Sequence, residues 1–222
     1  MHTSDSDKAV CPVGEPECQV LDELEAVYRK VRKLEELVHI DPLTGLYNYR
    51  QFIQALDQEM ERTRRTGQPT SLVMIDLDRF KGINDRFGHE VGNRVLRQVT
   101  KVMRQMVRKI DVPCRYGGEE FALILPGTQL GLAVNVANRL REKIEQSPMV
   151  LEQEEIGFTV SMGADLFLPR HGDTVASFVE RTDRLLYQAK REGRNRICHA
   201  EYRDLSPESE VSPEEKRALF DE

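Results

Sequence analysis

The clearest indication of the fold lies in residues 112–125, which read VPCRYGGEEFALIL. Two largely apolar runs flank Gly117-Gly118, and a Gly-Gly pair in this position predicts a β-hairpin because glycine tolerates the positive φ of tight turns. Other strands are predicted at 72–77, 156–162 and 196–198, and apolar residues with helical spacing fill 49–66, 90–108, 129–146 and 175–191. Helices and strands that alternate around a hairpin predict an α/β fold, with one sheet covered by helices.

The composition is that of one globular domain with acidic extensions. Of the 222 residues 39% are hydrophobic and 32% charged; residues 1–19 and 200–222 carry net charges of -3 and -5, whereas 20–199 carries +2. A body so weakly basic is not expected to bind a nucleic acid polymer, although it suits a small phosphorylated ligand. The sequence has no apolar run of membrane-spanning length and no signal-peptide core near Met1, so we expect a cytoplasmic protein without a membrane segment.

Four regions are distinguished along the chain. Residues 1–19 lack periodicity and are expected to be a flexible lead-in, 41–200 hold the alternating helices and strands, and 201–222 are expected to be a disordered acidic tail. At 20–40 apolar residues recur at alternating steps of four and three, which is the spacing of a coiled-coil helix. They are Val20, Leu24, Val27, Val31, Leu34 and Val38. The pattern predicts parallel self-association, and the alternative is an amphipathic helix lying on its own domain.

Candidate metal ligands are carboxylates beside the predicted strand ends. Asp76 and Asp78 end the run that begins at 72, and an Asp-x-Asp pair in a strand projects both side chains to one face. Glu119 follows the hairpin glycines, so it converges with Asp76 if the hairpin lies beside the first strand. Two carboxylates and a backbone carbonyl suit Mg²⁺ or Mn²⁺, and the alternative is that these are solvated loop carboxylates. The scattered cysteines are expected to be free thiols: Cys11, Cys18, Cys114 and Cys198.

Basic and polar side chains suited to a nucleotide accompany these carboxylates. Lys81 follows the Asp-x-Asp closely, and Lys190 and Arg194 lie four residues apart at a predicted helix end, which places them on one face. Together the three could hold a triphosphate, whereas each alone would be an ordinary surface charge. A predicted polar loop at 82–93 contributes Asn84, His89 and Asn93.

Five short motifs stand in order along 41–200. They are DPLTGLYN at 41–48, DLDRFK at 76–81, ND followed by GH at 84–89, RYGGEEF at 115–121, and YQAK followed by GRNR at 187–196. The set resembles the GGDEF family, the diguanylate cyclases, and the GGEEF form of the hairpin is one of the two spellings associated with active members. A chance match to one motif is common, but a chance match to all five in order is implausible.

The resemblance implies a fold and a reaction. The fold is the α/β palm-like nucleotidyl cyclase fold, a central, mostly antiparallel sheet flanked by helices, here preceded by the N-terminal coiled-coil helix. The reaction joins two GTP into cyclic di-GMP and releases two pyrophosphates, with Mg²⁺ or Mn²⁺. Two subunits of a homodimer would each hold one GTP, so that each 3′-hydroxyl attacks the α-phosphate of the other nucleotide.

Residue roles follow from the same resemblance, motif by motif. The expected metal ligands are Asp76, the backbone carbonyl of Leu77, and Glu119. The expected catalytic residues are Glu119 as the base for the 3′-hydroxyl, Glu120 beside it, and Lys81, which could stabilise the transition state. The expected substrate-binding residues are Asn84 at guanine, His89 and Asn93 at the same pocket, and Lys190 and Arg194 at the phosphates.

Position 93 departs from the family pattern, GHxxGD, because Asn93 stands where the pattern has a carboxylate. Guanine presents two donors, N1–H and the exocyclic amine, which one carboxylate accepts together, whereas an amide offers one acceptor oxygen and a donor. The change predicts weaker GTP binding or relaxed base selection; the alternative is that the amide keeps one bond and activity is ordinary. A catalytically weak cyclic di-GMP sensor is the rival function.

A second ligand site is suggested upstream of the hairpin. Arg108 and Asp111 lie three residues apart, and five residues separate Asp111 from Gly117, which resembles the inhibitory product-binding motif of the family. Arginine stacks on guanine and pairs with phosphate, while aspartate accepts from the guanine edge. Arg139 aligns with a secondary contact in some members. The alternative is an exposed Arg–Asp pair worth about 0–1 kcal/mol.

Overall fold

The structure of the chain is a computed structural model that describes residues 23–24, 26–31, 39–151, 154–169 and 173–201. The chain divides into two compact units, Met1–His39 and Ile40–Glu222. The described residues 23–24 and 26–31 of the first unit are helical. The predictions for the lead-in, the acidic tail, Cys11, Cys18 and the remaining heptad positions fall outside the described residues.

The described residues of the second unit form seven strands. They are β1 (Thr70–Leu77), β2 (Val112–Arg115), β3 (Glu120–Pro126), β4 (Met149–Leu151), β5 (Glu154–Ile156), β6 (Val160–Phe167) and β7 (Ile197–His199). Five of them form one sheet in the order β2-β3-β1-β6-β7, and β4 pairs with β5 separately. The central strand β1 runs antiparallel to β3 and β6, whereas β7 joins β6 in parallel. The sheet is therefore mostly antiparallel, as predicted.

In the described part of this unit, five helices cover the sheet. They are α1 (Tyr49–Thr66), α2 (Phe80–Phe87), α3 (His89–Met106), α4 (Leu130–Glu145) and α5 (Val175–Arg191). Side chains alternate along β1, so Val73 and Ile75 pack in one core with α3 and α4, and Leu72 and Met74 pack in the other with α1 and α5. All eight residues of β1 are buried as a result. No helix in the described ranges combines the length and the apolar character needed to cross a membrane.

Three local predictions are wrong. The predicted loop at 82–93 is instead the end of α2 and the start of α3, which Gly88 separates with a φ of 83°. Phe80, Ile83 and Phe87 form the apolar face of α2, but the helix is only eight residues long and its other residues are polar or glycine. The strand predicted at 156–162 starts later, at Val160, because 157–159 connect β5 to β6. The hairpin glycines at 117 and 118 have no positive φ. The two described cysteines, in β2 and β7, are buried free thiols as expected.

Candidate active site

The end of β1 and the β2–β3 hairpin bring carboxylates together. Asp76 lies opposite Glu120 in the β1–β3 pair, and the backbone N–H of Leu77 donates to the carbonyl oxygen of Glu119 at 3.3 Å. Asp76 is buried, and its Oδ2 lies 2.8 Å from Nζ of Lys190 on α5. The convergence of Asp76 and Glu119 that the sequence predicts is thus present in the structure, with Lys190 beside it.

Burial and mutual repulsion act on these carboxylates together. Burial, followed by the charge of Asp76, raises the pKa of Glu119 and of Glu120, while Lys190 opposes both shifts. Burial also raises the pKa of Asp76, and the ion pair with Lys190 offsets only part of that rise. The site therefore holds more negative charge than its lysine neutralises.

This charge distribution fits a divalent cation. Asp76 and Glu119 supply hard oxygen ligands, and a cation between them would relieve the repulsion that raises their pKa values. Within the described residues no three acidic, histidine or cysteine side chains form a complete metal cage. A site made from two carboxylates therefore needs further oxygen ligands, such as the backbone carbonyl of Leu77 and the phosphates of a nucleotide.

Gly117 shapes the hairpin through its missing side chain. A Cβ atom at this position would collide with Oε2 of Glu120, whose carboxylate lies over the glycine. The backbone N–H groups of Tyr116 and Gly117 both donate to the carbonyl oxygen of Glu120, at 2.8 and 3.2 Å, and close the turn. A Cβ at Gly118 would meet open space. Gly117 thus determines where the Glu120 carboxylate lies.

Asp78, the second carboxylate of the Asp-x-Asp pair, follows directly after β1, and its charge adds to the rise that burial causes in the pKa of Asp76. Its partner Ser161 stands opposite Asp76 in the β1–β6 pair, so the two carboxylates lie on the same side of the sheet but make different contacts. Asp78 is buried and accepts three hydrogen bonds: from the hydroxyls of Ser161 and Thr159 at 2.6 and 2.7 Å, and from the backbone N–H of Asn195 at 3.0 Å. These bonds tie the end of β1 to the turn after α5.

The first of the five motifs, at 41–48, contacts the β2–β3 hairpin through Asp41. Arg115 Nη1 lies 3.1 and 3.0 Å from the two carboxylate oxygens of Asp41, and its Nη2 donates to the carbonyl of Gly118 at 2.7 Å. Burial opposes the charge on Asp41, but hydrogen bonds from Thr44 and the charge of Arg115 outweigh it and lower the pKa of that carboxyl. The sequence motifs did not predict this contact, because Asp41 and Arg115 are 74 positions apart in the chain.

The three candidate nucleobase residues flank the α2–α3 junction. The Asn84 side chain lies against Gly92, where a Cβ atom would collide with its Oδ1. Asn93 is the next residue of α3 and is half-buried, and His89 is exposed at the first position of that helix. The structure therefore groups Asn84 with Asn93, with His89 one turn of helix away.

The structure separates two of the proposed phosphate ligands. α5 ends at Arg191, and Gly193 and Arg194 have φ values of 117° and 64°, so Arg194 leaves the helix and does not share a face with Lys190. Arg194 lines a cavity of about 620 Å³ beside Arg79, whereas Lys190 lies at Asp76. Lys81 is exposed in the first turn of α2.

The candidate product site is a short turn before β2. The backbone N–H of Arg108 donates to Oδ2 of Asp111 at 2.7 Å, and Asp111 is buried while the Arg108 side chain is exposed. Oδ1 of Asp111 is buried and accepts no hydrogen bond from the described residues. Burial raises the pKa of Asp111. Arg139 is exposed on α4.

A mostly antiparallel sheet with helices on both faces and paired carboxylates at the end of its central strand is the architecture of the palm-like nucleotidyl cyclases. Within that class, the chain belongs to the GGDEF family: residues 38–196 match the family described as "Diguanylate cyclase, GGDEF domain". The identification from the five motifs and the predicted palm-like α/β fold are confirmed, whereas the N-terminal coiled coil stays a prediction.

Relatives and solved structures agree with this membership. The response regulator PleD of Caulobacter vibrioides is 42% identical over 164 residues, which cover 73% of this chain and 36% of PleD. The GGDEF domain of DgcB from Caulobacter crescentus, solved with c-di-GMP, superposes with a TM-score of 0.70 at 34% identity, over 73% of this chain and 93% of that one. The active GGEEF domain of a diguanylate cyclase from Vibrio cholerae superposes with a TM-score of 0.64 at 34% identity, over 69% of this chain and 97% of that one. This chain spans about a third of the length of PleD.

Proposed function

We propose that the protein is a metal-dependent diguanylate cyclase that condenses two GTP into cyclic di-GMP and two pyrophosphates, with residues 41–200 as its catalytic domain. The observation that carries the proposal is the convergence of Asp76 and Glu119 at the end of β1, with Lys190 beside them. The Vibrio cholerae domain, which has the same GGEEF hairpin and is active, supports it.

The chemistry assigns each group a task. The 3′-oxygen of one GTP bonds to the α-phosphorus of the other, and the bond from that phosphorus to the pyrophosphate oxygen breaks. Glu119 accepts the hydroxyl proton as the general base. Mg²⁺ or Mn²⁺ held by Asp76, the Leu77 carbonyl and Glu119 would offset the phosphate charge.

The remaining candidates bind and orient the substrate. Asn84, His89 and Asn93 hold the guanine end, since the fold groups them at the α2–α3 junction. The cationic groups face the phosphates. They are Lys81, which also stabilises the transition state, Lys190 and Arg194.

A homodimer belongs to the proposal, because each chain is assigned one GTP. Three described heptad residues support it: Leu24, Val27 and Val31 are 41%, 57% and 44% exposed on a helical segment. Pairing two such helices would remove these apolar side chains from water.

The activity is tested with the purified chain, Mg²⁺ and GTP, with and without ATP, and the products identified by mass spectrometry. We expect wild type to form cyclic di-GMP and to release two pyrophosphates for each cyclic di-GMP. Glu119→Gln should form no cyclic di-GMP. Glu142→Gln, which changes an exposed glutamate of α4, is the control and should keep full activity. A mixed guanine–adenine dinucleotide would show relaxed base selection. No product, with cyclic di-GMP still bound, would overturn the cyclase in favour of a sensor.

Product inhibition through Arg108 and Asp111, with Arg139 as a secondary contact, is the regulatory part of the proposal. The exposed Arg108 guanidinium and the turn that fastens Asp111 to its backbone support it. Cyclic di-GMP added to the reaction should slow wild type and leave Arg108→Ala active. Superimposable inhibition curves for the two proteins would contradict it.

A further inference from the structure

Lys190 is bound to the carboxylate that the proposed metal needs. Its Nζ lies 2.8 Å from Oδ2 of Asp76, whose side chain is only 8% exposed. An ammonium at this distance competes with a metal for the oxygen and repels a divalent cation bound to the same carboxylate. Lys190 and a metal are therefore unfavourable neighbours while the lysine stays in this position.

The two partners of this ion pair differ in freedom. Asp76 is fixed within β1, which is hydrogen-bonded to strands on both sides. Lys190 stands in the last turn of α5, is 31% exposed and has a flexible four-carbon stem. When the pair opens, the lysine is the partner that moves.

We propose that Lys190 is a placeholder cation: in the nucleotide-free protein its ammonium takes the place of the metal at Asp76, and it transfers to the phosphates when a metal–nucleotide complex enters. The inference rests on the proposed function, because it assigns the metal to Asp76 and phosphate to Lys190. It requires that metal binds weakly without nucleotide. It also requires that metal and nucleotide strengthen each other's binding, since the phosphates give the displaced lysine a new partner.

A purely structural ion pair gives a different expectation. If Lys190 stayed on Asp76 throughout and the metal bound without displacing it, its loss would reduce stability and would change metal affinity only through the loss of one charge. Under the placeholder role, its loss exposes Asp76 to the metal and tightens metal binding. The metal dissociation constant in the absence of nucleotide therefore separates the two roles, whereas turnover does not.

The test is a titration of the nucleotide-free chain with Mn²⁺ at pH 8, with free Mn²⁺ measured by electron paramagnetic resonance. We expect Lys190→Met to bind Mn²⁺ about tenfold or more tightly than wild type. Lys190→Gln should also bind Mn²⁺ more tightly than wild type. This second variant keeps the test valid if circular dichroism shows that the first one folds poorly. Lys101→Met, the same change at an exposed lysine of α3, should leave the affinity unchanged. Adding Asp76→Asn to Lys190→Met should abolish the gain.

Equal or weaker Mn²⁺ binding by both neutral variants would overturn the placeholder role. A gain that survives in the double variant would also overturn it, because the metal would then bind elsewhere. The proposed function is judged separately by cyclic di-GMP formation in wild type. If the neutral variants bind Mn²⁺ more tightly but wild type forms no product, the placeholder role is supported and the cyclase function is contradicted. If wild type forms product but the variants do not bind Mn²⁺ more tightly, the cyclase function is supported and the placeholder role is contradicted.

Discussion

Asn93 is the single residue at which this chain differs from the family pattern in its proposed guanine pocket. It adjoins Gly92, whose missing side chain makes room for Asn84, and both amides are assigned to the proposed guanine pocket. An amide pair supplies two acceptor oxygens only if both side chains turn toward the base, whereas an aspartate supplies two oxygens alone.

Asn93→Asp should therefore improve guanine recognition. We expect KM for GTP to fall about tenfold, since leaving one guanine donor unmatched costs roughly 1–3 kcal/mol, and we expect no gain with ATP. The measurement is kcat and KM for both nucleotides in wild type and variant. Identical nucleotide preference in the two proteins would show that position 93 does not select the base.

The charge on Glu119 should cost stability at neutral pH. Burial, and then Asp76, raise its pKa above the ordinary 4.5, so the folded chain binds this proton more tightly than the unfolded chain does. The penalty is absent below the unfolded pKa, grows as pH rises toward the folded pKa, and is complete above the folded pKa. Glu119→Gln should thus have a higher Tm than wild type at pH 8, and the gap should close toward pH 4.

Thermal melts across pH 4–8 check this expectation, with Glu142→Gln as the matched control. The control should track wild type at every pH, because Glu142 is exposed and paired only with its neighbour Arg141. A Tm difference for Glu119→Gln that is the same at both ends of the range would mean that ionisation is not its cause.

Among the elements, α5 depends on a single close approach to β6. A Cβ atom on Gly163 would collide with the backbone N of Leu186 and the backbone O of Thr182. Backbone atoms cannot rotate away as a side chain does, so the helix itself would have to move. Because α5 carries Lys190, this contact also fixes the distance from Lys190 to Asp76.

Gly163→Ala should therefore destabilise the fold by about 2–3 kcal/mol and lower Tm by roughly 5–10 °C. Gly131→Ala on α4 is the control: no atom lies near its Cβ position, and alanine favours a helix by up to about 1 kcal/mol. Chemical denaturation of both variants measures the difference. Equal stability of Gly163→Ala and Gly131→Ala would show that α5 adjusts without cost.

The elements also show how far sequence patterns extend. The bounds of α1 and α5 agree with the apolar spacing because each helix has one buried face. The pattern missed α2 because three apolar residues in a helix of eight, Phe80, Ile83 and Phe87, are too few to show a periodicity. It placed β6 too early because apolar residues continue from β5 across the connection. Periodicity is visible only over several turns or residues of one element, so a short helix, or a connection with apolar residues, is misread.

At the scale of the whole molecule, the proposed activity needs two copies of the chain. Leu24→Asp combined with Val27→Asp places charges on the exposed heptad face and should reduce self-association. We expect a smaller species in sedimentation velocity and a specific activity that falls more steeply on dilution. Val150→Asp, which charges an exposed valine of β4, should leave both unchanged. If the heptad variant sediments like wild type, this helix does not hold the dimer together.

The site was predictable where it depends on strand pairing, and it was not predictable where it depends on the end of a helix or on a contact between distant residues. Asp76 and Glu119 meet because a hairpin lies beside β1, which alternation and a Gly-Gly turn indicate. Arg194 was misplaced because the helix ends at Arg191, before the glycine that marks its end. The Asp41–Arg115 contact joins residues 74 positions apart, and no local pattern contains that information.

The three hydrogen bonds of Asp78 bear on how mutational data for such a domain are interpreted. In a saturation library selected for signalling output, changes at Asp78 should be depleted as strongly as changes at Asp76, because the turn that Asp78 fastens carries Arg194. The two positions should separate only in a parallel selection for protein abundance, in which Asp78 variants are lost and Asp76 variants persist. A short acidic motif can therefore contain one position that evolves under the constraint of chemistry and another under the constraint of folding.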